Sequence, residues 1–147
     1  MKTLKMTMTE KYKILGKYIK DMSSETPDAE TYIFVRDYIS KYQLNIDISS
    51  KALKNKMIEV NTKFKFEDNE QSKKKSYFEI IYSTIIKVSE EVKDKKELEK
   101  IILCDVQIEI YPDLEKSLLD LLHNSGYPGV KFEKKVDFEN LFNQRFN

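Results

Sequence analysis

A single cysteine, Cys104, and a single histidine, His123, leave this 147-residue chain with few soft metal ligands and no redox pair. One thiol cannot close an intramolecular disulfide or build a multi-cysteine metal site. Cys104 reads instead as a small buried hydrophobe of an intracellular protein. One imidazole supports neither a histidine metal cluster nor a catalytic triad. His123 falls near a helix C-terminus, where a cationic ring is mildly favoured. The three glycines, Gly16, Gly126 and Gly129, make no glycine-rich phosphate loop. Charge of one sign is missing too: 26 Lys and Arg stand against 25 Asp and Glu, which gives no bulk argument for nucleic acid. No apolar stretch approaches the ~20 residues of a membrane helix. Met1–Glu10 hold no long apolar run, which predicts no signal peptide and a soluble, cytoplasmic protein without membrane insertion. Carboxylates are plentiful, but no pair has the context of an acid/base couple. The expectation is a protein that is not an enzyme and needs no cofactor or metal.

What is present is a run of strand patterns followed by helix patterns. Residues 1–10 are polar and lysine-rich and read as a flexible N-terminus; residues 11–147 read as one domain. Tyr12–Ser23 reads as a strand, with Gly16 where the alternation is weakest, fitting a bulge or a close backbone approach. Pro27 closes it. Asp28–Lys41 is a long connection rich in aromatics, and Thr31–Ile39 also fits a short amphipathic helix. Tyr42, Leu44, Ile46 and Ile48 alternate with polar residues, as do Ile58, Val60, Thr62, Phe64 and Phe66, so both stretches are half-buried strands. Between them and the next strand lies a polar turn with Lys73-Lys74-Lys75, a solvated edge without the aromatic interleaving of an RNA-binding surface. Tyr77–Val88 is apolar on both faces, which predicts cover on both sides or a subunit interface. Helical periodicity begins near Lys95, and Pro112 opens or kinks a second helical stretch. Leu114, Leu118, Leu121 and Leu122 form its stripe. Asn124–Gly126 stops the helix, Pro128 prevents its resumption, and Asp137 can cap a last short helix carrying Phe138, Leu141, Phe142 and Phe146. Strands first and helices after argue for an α+β fold with an antiparallel sheet.

Two stretches carry a resemblance. The first is Tyr18-Ile19-Lys20-Asp21-Met22-Ser23-Ser24-Glu25-Thr26-Pro27. The second is Gly126-Tyr127-Pro128, followed by Val136-Asp137-Phe138-Glu139-Asn140-Leu141-Phe142. In order, with matching strands between them, they resemble SecB, the export chaperone family of Gram-negative bacteria. The resemblance implies a four-stranded antiparallel sheet, a long kinked helix and a short C-terminal helix. It implies an ATP-independent holdase that binds unfolded preproteins in the cytoplasm, assembles as a homotetramer (a dimer of dimers) and delivers clients to the SecA motor.

The resemblance also assigns roles to residues. Asp21, Glu25, Tyr77 and Glu79 fall where the family docks the zinc-binding tail of SecA; three carboxylates on one sheet face would steer a basic tail. Tyr32, Phe34 and Tyr38, with Phe138, Leu141, Phe142 and Phe146, are candidates for an apolar client groove, since aromatics give large contact area with few rotatable bonds. Leu114, Leu118, Leu121 and Leu122 are candidates for the oligomer interface. The chain is less acidic than the family, which weakens docking to a basic tail. The alternatives are a SecB-like chaperone dedicated to one client, such as an antitoxin, and a small oligomeric scaffold or nucleic-acid-binding module.

Overall fold

The computed structural model describes residues 10–70 and 74–146, the last two of these by backbone alone. Residues 1–9 of the expected flexible N-terminus, Lys73 and the side chain of Phe146 lie outside the described residues. The strands are β1 (Tyr12–Glu25), β2 (Gln43–Ala52), β3 (Met57–Glu67) and β4 (Tyr77–Val88). They form one four-stranded sheet of order β1-β4-β3-β2, antiparallel throughout. The α+β expectation holds.

Alternation decides which face is covered. Val60, Thr62, Phe64 and Phe66 of β3 and Phe78, Ile80, Tyr82 and Ile86 of β4 are buried on the inner face. The outer face carries Glu59, Asn61, Lys63 and Lys65 of β3. Ile81 and Ile85 of β4 stay half-buried there, paired across the sheet with Lys63 and Glu59. In β1 the pairing slips between Ile14 and Gly16 and between Ile19 and Asp21, so Leu15 and Lys20 are bulged. The irregularity at Gly16 is therefore a bulge; a side chain there would meet nothing within 4 Å.

The connection after β1 is helical: α1 spans Ala29–Tyr38, followed by a 3-10 turn, Ile39–Lys41. Asp28 caps α1 by accepting from the Thr31 N–H at 2.8 Å. That bond, more than any nearby charge, holds the Asp28 carboxyl below its ordinary range.

The long helix consists of α2 (Lys95–Lys100), a π-helical turn (Ile101–Asp105) and α3 (Val106–Asn124). In the π turn the Val106 N–H reaches back to the Ile101 carbonyl. Buried Gln107 then donates from Nε2 to the Ile102 carbonyl at 3.1 Å and accepts from the Thr62 hydroxyl at 2.9 Å. A side chain from the sheet thus completes the backbone bonding that the wider turn disturbs. Pro112 neither opens nor ends a helix; α3 runs through it. The carbonyl that loses its N–H partner belongs to Ile108, and both residues lie on the exposed side, where water can replace the bond.

The leucine stripe requires a correction. Leu114, Leu118 and Leu122 are buried against the chain's own sheet, and Leu121 is half-buried. The first three are core and offer no surface to another copy. Burial of each contributes about 1.5–3 kcal/mol. The larger exposed apolar set is on β1, a free edge strand carrying Leu15, Tyr18, Ile19 and Met22. The same strand is tied to α3 from its inner side. The Tyr12 hydroxyl donates to Glu109 at 2.7 Å, Lys17 pairs with Asp113 at 2.8 Å, and the Ser24 and Ser125 hydroxyls meet at 2.7 Å. The last helix, α4, spans Phe138–Phe146 and is capped by Asp137, which accepts from the Asn140 N–H at 3.0 Å.

Candidate functional site

A depression of about 970 Å³ opens between α1 with its 3-10 turn, the start of β2, and the segment 126–133 after α3. Its apolar lining comes from Tyr32, Ile39, Tyr42, Leu44, Phe66, Tyr127, Val130 and Phe132. Arg36, Lys131 and Glu133 supply the charges. A cleft of this size with an aromatic lining and few charges suits extended apolar chain segments.

The floor is held by hydrogen bonds as well as packing. Buried Ser76 donates its N–H to the Tyr42 hydroxyl at 2.9 Å, and its own hydroxyl lies 3.2 Å from that of Tyr127 and 2.7 Å from that of Thr26. Tyr127 sits edge-on to Phe78, ring centroids 5.6 Å apart, and 5.4 Å from the Tyr32 ring. The Tyr32 hydroxyl donates to the Gly126 carbonyl at 2.9 Å. Gly126 ends the helix at φ +106°, and a Cβ there would lie 2.6 Å from Cε1 of Tyr32. Only glycine fits both the backbone and the ring. Gly126→Ala is expected to lower stability by ~1–3 kcal/mol, measured by denaturant titration, and to push Tyr32 out of the groove wall.

Tyr32 is the one member of the first aromatic trio that lines this groove. Phe34 and Tyr38 stack on each other at 4.5 Å, away from it, with Lys41 over the Tyr38 ring at 5.3 Å. Phe138 and Phe142 are 3% and 6% exposed, and Phe138 packs edge-on against Tyr111 at 5.7 Å. They are core side chains at the back of a second depression of about 280 Å³, shared with Ile46, Ile48, Leu103 and the 49% exposed Leu141. The principal groove therefore draws on residues that sequence patterns attribute to a strand or a loop. Tyr42 and Leu44 lie in the alternation of β2, and Tyr127 stands in the Gly126-Tyr127-Pro128 motif. Phe132 carries no such signal.

The opposite face holds the acidic set. Cross-strand pairing places Glu25 against Tyr77, Ser23 against Glu79 and Asp21 against Ile81. Asp21, Glu25, Tyr77 and Glu79 thus share the outer face, away from the helices. The Tyr77 hydroxyl donates to Glu79 at 2.6 Å. Burial first, and then this bond, pushes the phenol up to about 12. Lys65 stands directly across from Glu79, its Nζ 5.4 Å from the Tyr77 ring centroid, so the face is mixed in charge. Among the described residues no cluster of His, Cys, Asp and Glu could hold a metal ion, and no helix is long and apolar enough to cross a membrane.

Comparison with known proteins agrees with this architecture. The family "Preprotein translocase subunit SecB" matches residues 5–147. A "Putative protein-export protein SecB" of Pelagibacter ubique (strain HTCC1062) is 66% identical over 140 residues, covering 95% of this chain and 100% of that protein. The "Protein-export protein SecB" of Parvibaculum lavamentivorans is 25% identical over 133 residues, covering 90% of this chain and 77% of the other. Among solved structures, the Mycobacterium tuberculosis SecB-like chaperone in complex with a ChAD peptide from the HigA1 antitoxin superposes with a TM-score of 0.63 at 12% identity, covering 88% of this chain and 94% of that one. With the family match running over nearly its whole length and a relative 66% identical along 95% of it, the chain belongs to the SecB family.

Proposed function

We propose that the protein is an ATP-independent holdase that binds unfolded preproteins in the cytoplasm and delivers them to the SecA motor. The observation that carries this reading is the groove of about 970 Å³ with its preformed aromatic wall. Ordering a client chain costs ~1–2 kcal/mol per residue of backbone. Burying one aliphatic or aromatic side chain returns about 1.5–3 kcal/mol, so one short site binds weakly. Several grooves on one assembly raise avidity by roughly 10²–10⁴. A homotetramer, a dimer of dimers, supplies them, with copies joined through the exposed apolar side chains of β1. Selectivity for unfolded chains needs no sequence code, because a folded protein offers no free apolar segment. The test is aggregation of a chemically unfolded preprotein followed by light scattering without nucleotide. The protein is expected to delay aggregation; no delay at several-fold excess would contradict the reading.

Asp21, Glu25, Tyr77 and Glu79 form the proposed docking face for the zinc-binding tail of SecA. Rim charges of this kind act through long-range attraction. Asp21→Lys combined with Glu25→Lys is expected to abolish tail binding in calorimetric titration while client holding persists. Binding by the unaltered protein should fade above ~0.15 M salt, where the screening length is about 8 Å. Equal binding by both forms would mean that the face is merely solvated. A second reading, a chaperone dedicated to one client such as an antitoxin, is favoured by Lys63 and Lys65 on the same outer face. The antitoxin peptide bound by the SecB-like relative points the same way. Absence of tail binding by the unaltered protein would select it.

A further inference from the structure

The segment that joins the groove wall to α4 has little backbone bonding of its own. Among the described residues, those from 131 to 136 make no backbone-to-backbone hydrogen bond. Side chains hold the segment instead. At its upstream end the Val130 N–H donates to the Tyr127 carbonyl at 3.3 Å, and His123 Nε2 lies 3.1 Å from the Val130 carbonyl. At its downstream end Lys135 Nζ meets Glu115 Oε1 of α3 at 2.5 Å. Between these two fastenings Phe132 packs edge-on against Phe66, ring centroids 5.5 Å apart, and closes one side of the groove.

The two members of the downstream pair stand in different surroundings. The Lys135 side chain is 63% exposed and the Glu115 side chain 13%. An exposed ammonium gains little from one partner. A carboxylate mostly removed from water is strongly destabilised when its partner leaves. Lys135 is the one ion-pair partner of Glu115 among the described residues. The second oxygen, Glu115 Oε2, is buried. Tyr111 precedes Glu115 by one helical turn. Burial first, and then the nearby Glu115 carboxylate, push its phenol up to about 12. The ring stays neutral and cannot stand in for the cation. The demand for a counter-charge thus comes from α3, and the segment carries the group that meets it.

Neither Lys135 nor Glu115 lines the groove. We infer that the two are positioning residues for the groove wall, and that their ion pair sets how long a bound client stays. This rests on the groove being the client site and adds how its wall is held in place. With the pair made, Phe132 is preorganised on Phe66 before a client arrives. With the pair broken, the segment keeps its apolar contacts and the Val130 fastening, and Phe132 moves off Phe66. A client leaves through such an opening, so the pair acts chiefly on the dissociation rate.

The test separates the position of the wall from folding. Lys135→Ala alone leaves Glu115 unpaired and lowers stability, so the informative variant combines Lys135→Ala with Glu115→Gln, which removes the buried charge as well. Lys135→Arg keeps the pair. All are made in the full-length protein. The nuclear Overhauser contact between the Phe132 and Phe66 rings, read with labelled phenylalanine, is expected to be lost in the double variant and kept with Lys135→Arg. Thermal unfolding by circular dichroism should be close to that of the unaltered protein for both. Dissociation of a labelled, unfolded preprotein, chased with unlabelled preprotein, is expected to be about fivefold or more faster from the double variant and unchanged with Lys135→Arg. Retention of the ring contact in the double variant would overturn the inference, as would loss of the contact with no change in dissociation. If the unaltered protein binds no preprotein, the groove reading fails instead, and the ring contact alone decides whether the pair positions the wall.

Discussion

Leu118→Arg is expected to leave no folded protein. Leu118 is fully buried between α3 and the inner face of the sheet, with Leu114 and Leu122 one turn away on either side. Removing a buried leucine side chain costs ~2–5 kcal/mol. An unpaired guanidinium in the same place adds several kcal/mol more. Together these approach the whole stability of a domain of this size, about 5–15 kcal/mol. Circular dichroism should show loss of helix, and light scattering should show aggregate. A folded assembly of smaller mass would instead put Leu118 at an interface between copies. The milder Leu118→Ala should lower unfolding free energy by ~2–5 kcal/mol with the fold retained.

The β1 edge should behave in the opposite way. Ile19 and Met22 are 44% and 47% exposed although their side chains point toward the helix side of the sheet. In a lone chain, lysines at these positions would extend into water at little cost to stability. In an assembly joined along β1 they would bring like charges into an apolar contact. Ile19→Lys combined with Met22→Lys is therefore expected to reduce the mass measured by multi-angle light scattering while circular dichroism stays unchanged. Client affinity should fall with it, by as much as the roughly 10²–10⁴ that multiple grooves provide. A variant with the mass of the unaltered protein would show that copies meet elsewhere.

The difference between these two outcomes marks what patterns in a sequence can and cannot convey. Alternation in β3 gives the buried parity directly, because a strand's side-chain period is fixed by its pleat, whereas β4 is apolar on both faces and takes its parity from its pairing with β3. The cap at Asp137 and the stop at Gly126 follow from local backbone chemistry, and the structure places both where that chemistry requires. A helical stripe, by contrast, says that one face is covered but not by what. Leu114, Leu118 and Leu122 meet their own sheet, a fact set by tertiary packing. Pro112 drew attention as a break, yet the irregular turn lies upstream and is accommodated by Gln107 and Thr62, which no local pattern connects. The groove was legible only in part. Tyr32 was visible as an aromatic in the connection after β1. Tyr42, Leu44 and Phe66 carried an ordinary strand pattern, and Phe132 reaches the groove only because the segment after Gly126 folds back over β3. The aromatics of α4 had the composition of a binding surface but serve largely as core.

The central claim is that this groove holds unfolded polypeptide. It is tested most directly by fluorescence anisotropy of a labelled preprotein, kept unfolded, titrated without nucleotide with the unaltered protein and with Leu44→Ser/Phe132→Ser. Both residues line the groove and are half-buried, so the variant should keep its fold by circular dichroism. Loss of two apolar contacts of about 1.5–3 kcal/mol each predicts binding at least tenfold weaker by the variant, and no binding of the folded preprotein by either form. A correctly folded variant that binds the unfolded preprotein as tightly as the unaltered protein would contradict the account.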